Sequence, residues 1–285
     1  MDLEDELARL AAQYGGAGTP TRHATRSDVV VVRRGEVVVK AHSARDDAAS
    51  LRLRLKASAS AALTGVMLAP LDMDVRTVCD RAVTVWPAGT PVAPDDPDAA
   101  PWEEGARLLA RLHAVPLTTV PPLPEAGGPA RMARAVSGMP GDGPDQRLVR
   151  QALAALPAPE PVPLLLTHGD WHLGQLVRRS DRWLLIDVDD LGIGDPAWDL
   201  ARPAAWFAAG LLEPGIWNRF LNAYLASGGP ALDPRDPWAR LDVPARAVTV
   251  QLAAVAVTHA QREGRELDEV ERSLVESCDR IVGLR

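Results

Sequence analysis

The residues with the most chemical content lie in two short runs, His168-Gly169-Asp170-Trp171-His172-Leu173-Gly174-Gln175 and Leu185-Ile186-Asp187-Val188-Asp189-Asp190. Residues 162–167, an apolar strand by composition, deliver Asp170 to a loop, where a carboxylate can be half-buried and aimed. Gln175 adds an amide oxygen, and a second apolar strand ends by exposing Asp187. Two carboxylates and an amide at the ends of neighbouring strands offer hard oxygen ligands, which suit Mg²⁺ held on substrate phosphates. Phosphoryl transfer needs one carboxylate to orient an attacking hydroxyl and take its proton, and a metal to neutralise phosphate charge.

Each residue also has a plainer reading. Asp170 could cap a turn, Asp187 could be a structural carboxylate, and Gln175 an ordinary strand residue. His168 and His172 stand four apart and raise the question of zinc with Asp170. Gly169 and the preceding strand put them on a loop rather than one helix face, with no third His or Cys close in sequence. Asp195 precedes Pro196 and can cap the helix that the proline opens. Asp199 can bond back to the loop at Asp170.

The elements that must position these groups can be read along the chain. Leu3, Leu7, Leu10 and Ala11 recur at helical spacing. Residues 28–32 and 36–40 are Val-rich runs hinged near Arg34-Gly35, which favours an antiparallel hairpin. Residues 46–63 read as a helix, and 67–71 and 82–86 as two more strands. The run Pro87-Ala88-Gly89-Thr90-Pro91 breaks the pattern and marks a hinge. Beyond it come a helix from Trp102 to His113, a loop over 116–129, a helix over 146–156, and strands over 162–167, 175–178 and 183–188. Four helices follow, broken at Gly210, Gly228-Gly229 and near Gly264. A small β-rich part, a hinge and a larger helical part predict an α+β chain of two lobes with a cleft: an N-terminal lobe over 1–86, a hinge over 87–91 and a C-terminal lobe over 92–285.

The bulk properties narrow the partners. A net charge of −7 argues against a nucleic-acid partner, because phosphate binding needs a basic surface. Two cysteines without metal-like spacing fit a reducing compartment. The acidic N-terminus is unlike a signal peptide, and no apolar run approaches the ~20 residues that span a bilayer, so a cytoplasmic protein without a membrane partner is expected. Glu263, Glu266, Asp268, Glu269, Glu271 and Glu276 read as a solvated face of the last helix, with Glu263 a candidate for an acceptor bearing an ammonium group. Trp198 and Trp206 read as core.

In this order, the two runs and Gly194-Asp195-Pro196-Ala197-Trp198-Asp199-Leu200-Ala201 resemble the catalytic core of the aminoglycoside phosphotransferase family, a branch of the protein-kinase-like fold. That family carries His-Gly-Asp-x-His-x-x-Asn, an apolar strand ending Ile-Asp-aromatic, and Gly-Asp-Pro-x-x-Asp-Leu-Ala. Gln175 replaces the Asn here, Val188 the aromatic residue, and His-Leu-Gly-Gln is similar to the loop of maltokinase and glucosamine kinase relatives. The resemblance implies ATP and Mg²⁺, with Asp170 as catalytic base and Gln175 and Asp187 as metal ligands. It also implies that His168, His172, Asp195 and Asp199 support the loop. Lys40 resembles the lysine that contacts the ATP phosphates. The usual Glu of the next helix is missing, since Leu51-Arg52-Leu53-Arg54 stand there, and Asp46 or Asp47 is the expected substitute. Residues 24–27, with Ser27, fit a phosphate loop, and Trp86 and Ala88 the hinge that borders adenine. Asp189, Asp190 and Glu263 are candidate acceptor contacts. The expected activity is transfer of the ATP γ-phosphoryl group to a hydroxyl of a small molecule, either an aminoglycoside-like antibiotic, with antibiotic resistance as its consequence, or a sugar or amino sugar. A catalytically silent nucleotide-binding protein and a zinc-dependent hydrolase are the alternatives.

Overall fold

The computed structural model describes residues 2–23, 28–93, 98–158 and 160–284. The N-terminal part holds α1 (Leu3–Gln13), β1 (Thr21–His23), β2 (Val30–Arg34), β3 (Val37–Ala41), α2 (Ala48–Ser58), β4 (Arg76–Val78) and β5 (Arg81–Pro87). Its strands form one antiparallel sheet in the order β1-β2-β3-β5-β4. The valine runs of β2 and β3 suit a pleated, half-buried surface. The turns between β2 and β3 and between β4 and β5 use positive φ, supplied by Gly35 (57°) in the first and by Cys79 and Asp80 (47° and 60°) in the second.

Side chains alternate between the faces of a strand. Val37, Val39, Ala41, Val83 and Val85 pack with Leu7 and Leu10 of α1 on one face. Lys40 pairs with Thr84 and Val38 with Trp86, so these four share the opposite face, toward the rest of the chain. Asp47 caps α2 by accepting from the Ala49 and Ser50 N–H groups (3.2 and 2.8 Å). Leu51 and Leu55 of that helix join Trp86 in the largest core.

The second part begins with β6 (Thr90–Pro91) and continues through α3 (Trp102–His113), α4 (Gly128–Ser137) and α5 (Pro144–Ala155). The strands β7 (Leu165–Thr167), β8 (Leu176–Arg179), β9 (Arg182–Leu185) and β10 (Gly192–Gly194) follow. Then come α6 (Ala197–Ala208), α7 (Pro214–Ala226), α8 (Trp238–Glu263) and α9 (Glu269–Gly283). β8 pairs with β9 around Ser180-Asp181 and with β6, and β7 pairs with β10. Trp171 stacks on Phe220 (5.1 Å between ring centroids), and Trp102 meets both edge-on. A second core joins α5, α8 and α9. The architecture is α+β with two lobes, of the protein-kinase-like kind.

Three sequence expectations change. Residues 67–71 are not a strand of the sheet. Val66 and Leu68 instead bond the backbone of Leu185 (2.9 and 2.8 Å), and the strand beside β5 is the short, mostly exposed β4, whose polar residues gave no apolar signal. The loop expected over 116–129 ends in the first turn of α4, where Pro129 occupies a position that helices accept because no N–H bond is needed there. In α8, 26 residues include a window apolar and long enough to cross a membrane, contrary to expectation, but 67% of that window is buried against the protein.

The Phe220 ring is fully buried among Trp102, Trp171 and Trp217. Phe220→Ala should lower stability by about 3–5 kcal/mol, read as a shift in the denaturant midpoint of the Trp fluorescence transition.

Candidate active site

The loop after β7 is held by one buried carboxylate. Asp199, in the first turn of α6 and 0% exposed, accepts from the backbone N–H of His168 (2.7 Å) and Gly169 (2.8 Å) and pairs with His113 Nε2 (2.9 Å). Tyr224 stands on the other nitrogen of that imidazole (2.8 Å). His168 joins the loop to the next strand through Nε2 and the Ile186 carbonyl (2.8 Å). Gly169 has φ +87°, and a Cβ there would lie 2.2 Å from the Asp190 carbonyl oxygen, so only glycine fits. Asp195 accepts from the Ala197 N–H (3.0 Å) and from Arg240 (2.9 Å), fixing the start of α6.

Asp170 leaves this loop between two guanidinium groups. Arg202 Nη2 donates to its Oδ1 (2.7 Å) and Arg131 Nη2 lies 3.3 Å from its Oδ2. Burial pushes the carboxyl pKa up, but Arg131, Arg202 and His172 together bring it below its ordinary value. His172 accepts the Gly174 N–H at Nδ1 (3.0 Å), and burial, reinforced by Arg202, holds its pKa down to about 4.

Asp187 follows β9 with φ +69°. Gln175 donates from Nε2 to its Oδ2 at 3.5 Å, and Lys40 donates to its Oδ1 at 2.7 Å. Carboxylate and amide thus stand side by side, and a cation already sits on the carboxylate. This donor set fits Mg²⁺, which prefers hard oxygen ligands and shares them with substrate phosphates.

Lys40 has a second partner, Asp189 Oδ2 at 2.7 Å. The other oxygen of Asp189 meets His42 Nδ1 (2.7 Å), His42 Nε2 meets Thr84 Oγ1 (2.7 Å), and Trp86 Nε1 donates to the same hydroxyl (2.7 Å). A hydrogen-bonded chain therefore runs from Lys40 through Asp189, His42 and Thr84 to Trp86. Burial alone would lower the Lys40 pKa, but Asp187 and Asp189 raise it; Asp189 is driven well below the carboxylate range by Lys40 and His42 against its own burial. The carboxylate sought on the helix is thus supplied by Asp189. Asp47 is occupied as a cap, Asp46 accepts from the Ser43 N–H (3.0 Å), and Arg54 of α2 reaches the Leu191 carbonyl (2.9 Å).

Several further expectations are corrected. Asp190 is 8% exposed and pairs with Arg131, so it meets a ligand only through that arginine. Glu263 ends α8 and is bound by Arg265 (2.6 Å), about 18 Å along the helix from Gln251. The acidic residues expected on one last helix are divided, with Asp268 capping α9 and Glu271 pairing with Arg265. Ala88 donates its N–H to the Glu36 carbonyl (2.8 Å) and accepts from Arg179 at its own carbonyl (2.6 Å), so its N–H is not free for an adenine edge. Trp86 lies in the core with its indole N–H satisfied. Ser27 lies outside the described residues. The zinc grouping of His168, Asp170 and His172 does not form. Among the described residues only His42, Asp46 and Asp189 converge in that way, and Lys40 and Thr84 already engage this trio.

The sequence reading missed Arg131, Arg202, His42 and Gln251. Arg202 had a signal, since it stands three residues after Asp199 on the same face of α6. Arg131 had none, because α4 itself was unseen. Trp198 is not core alone: with Gly128, Asp170, Arg202 and Gln251 it lines a small pocket.

Asp199→Ala would strand two buried N–H donors, so it should cost about 3–5 kcal/mol in denaturant unfolding. Between pH 6.5 and about 4 the unfolded chain protonates His172 while the folded chain does not. Stability should therefore fall as pH falls through that window, and His172→Gln should flatten the slope. An unchanged slope would count against a buried neutral His172.

With the geometry in place, comparison with known proteins gives the following. Residues 19–238 match the model of the phosphotransferase enzyme family. No curated protein gives a significant match. Among solved structures, the chain is similar to a choline/ethanolamine kinase family protein from Mesorhizobium loti (TM-score 0.65, 17% identity, 98% of this chain and 95% of that one). It is similar also to a thermostable mutant of an aminoglycoside phosphotransferase in its apo form (TM-score 0.65, 15% identity, 98% of each chain). A macrolide 2'-phosphotransferase from Brachybacterium faecium matches with a TM-score of 0.54, 20% identity, 96% of this chain and 97% of that one. At such identities the likeness speaks for the fold, while the family match spans most of the sequence. The chain belongs to the phosphotransferase enzyme family.

Proposed function

We propose that this enzyme transfers the γ-phosphoryl group of ATP to a hydroxyl of a small, sugar-like molecule, with Asp170 as the base that orients the hydroxyl and accepts its proton. Asp187 and Gln175 would hold Mg²⁺, which supplies charge neutralisation on the phosphates. Lys40 would contact the phosphates while Asp189 and His42 keep its ammonium group in place. The lobe limits we assign are 1–86 and 92–285, joined by the hinge at 87–91, and we place the protein in the cytoplasm, in keeping with its free cysteines.

The observation that carries this reading is that Lys40 and Asp187, 147 residues apart, meet at 2.7 Å beside Gln175. A catalytically silent protein was suggested by the missing helix carboxylate, and Asp189 removes that ground. Aminoglycoside-like antibiotics, with their several ammonium groups, fit less well than sugars beside Arg131 and Arg202.

Asp170→Asn should lower kcat by about 10²–10⁴-fold, the usual worth of a positioned proton acceptor, while Mg·ATP binding measured by calorimetry persists. Undiminished turnover would remove Asp170 from that role. Asp187→Asn should abolish the Mg²⁺ dependence of ATP binding.

A further inference from the structure

The surroundings of Asp170 carry more positive charge than a base alone requires. Arg202 has Asp170 as its ion-pair partner (2.7 Å), and Arg131 shares itself between Asp170 (3.3 Å) and Asp190. Arg134 lies one turn beyond Arg131 on α4, is exposed, and has no ion pair among the described residues; Asp46 is the acid that attracts it from a distance, and Arg131 and Arg45 repel it. Beside them a pocket is lined by Gly128, Asp170, Trp171, Trp198, Arg202 and Gln251. Gln251 is 5% exposed, and its side chain has no hydrogen-bond partner among the described residues. The Trp171 indole nitrogen is likewise buried without a partner. The pocket has a free volume of about 10 Å³, room for one water molecule, with the Arg202 guanidinium drawn onto Asp170.

With so little free space, an acceptor hydroxyl must share the Asp170 carboxylate with these guanidinium groups or displace them. A neutral acceptor would leave Arg202 half-buried and unpaired, which a protein avoids, and a cationic one would add repulsion. An acceptor bearing its own carboxylate or phosphate gives Arg202 a replacement partner in the bidentate geometry that guanidinium favours. Arg131 stays anchored by Asp190 during the exchange, and Gln251 gains the partner it lacks.

We propose that the acceptor is a hydroxylated anion, such as a sugar acid or hydroxy acid, whose acidic group takes Arg202 and Arg131 from Asp170 and so frees the base. This rests on the phosphotransferase reading of the site given above. In the step that follows, the acceptor oxygen bonds to the γ-phosphorus as the bond to the bridging oxygen of ADP breaks. The hydroxyl proton passes to Asp170, and ADP leaves with the bonding electrons. The product is the phosphate ester of the acid. The preference sets this site apart from one built for a choline-like or aminoglycoside cation.

The test uses the full chain saturated with Mg²⁺ and AMP-PNP, so that the nucleotide site is filled. Titration with D-gluconate, D-glucuronate, D-glycerate and L-tartrate is followed by tryptophan fluorescence beside sorbitol, glucose and glucosamine. At least one acid should bind about 30-fold or more tighter than every neutral or amino compound, the low end of what a lost buried charge pair costs in binding. Arg202→Gln should abolish that difference and Arg202→Lys restore part of it, with AMP-PNP affinity unchanged in both. Binding by none of the acids, preference for glucosamine, or acid binding that survives Arg202→Gln would overturn the proposal. So would an Arg202→Gln variant that loses AMP-PNP instead, since the arginine would then serve the nucleotide. Failure of the unmodified chain to bind Mg·AMP-PNP at all would instead sink the phosphotransferase reading, and this inference with it.

Discussion

A lysine buried between two carboxylates from the other half of the chain is the constraint on which this structure turns. Lys40 leaves the sheet with its side chain 11% exposed and is met by Asp187 and Asp189, each at 2.7 Å. An ammonium group in that position is tolerable only if it is paired, and the pair joins two segments remote in sequence. Every element that brings them together is therefore under tension to be right: the hairpin register that aims Lys40 and Thr84 at one face, the positive φ of Asp187 after β9, and the backbone bonds of Val66 and Leu68 to Leu185. The same arrangement concentrates cationic and anionic groups where a triphosphate and its metal would need them.

A second centre of charge stands around Asp170, built by different means. There a carboxylate is held by arginines from α4 and α6, and the loop beneath it hangs from Asp199. The two centres differ in sign balance. Around Lys40 two acids meet one base; around Asp170 two guanidinium groups meet two acids, Asp170 and Asp190. In the proposed function the Lys40 centre would take metal-bound phosphates and the Asp170 centre a different anion, which would keep two substrates in their own places by charge. The solved structures similar in fold include a choline kinase and an aminoglycoside phosphotransferase, so a shared scaffold leaves acceptor choice to side chains of this kind.

Much of this was legible in the sequence, and the reasons are local. The valine runs around Gly35, the proline-opened helix at Pro196 and the four C-terminal helices each carry their own propensity and punctuation, which need no knowledge of the rest. The loop from His168 to Gln175 and the strand before Asp187 were visible as an ordered set, and they stand at neighbouring strand ends in the structure. Local signals failed where an element was short or polar. β4 has no apolar face to announce it, and α4 opens with the Gly and Pro that elsewhere mark a loop.

The sequence by itself marked the order of most of the elements, the Asp187 carboxylate and Gln175 amide that stand side by side, and a lysine at the end of a strand. It did so because strand, turn and cap preferences act over a few residues. Only the tertiary structure decided which acid completes Lys40, that His42 and Thr84 tie that acid to the sheet, and that arginines from two helices close on Asp170. Those pairings join residues from about 30 to nearly 150 positions apart, where hydrophobic packing rather than local propensity brings groups together, and a buried charge then takes whichever partner the packing delivers.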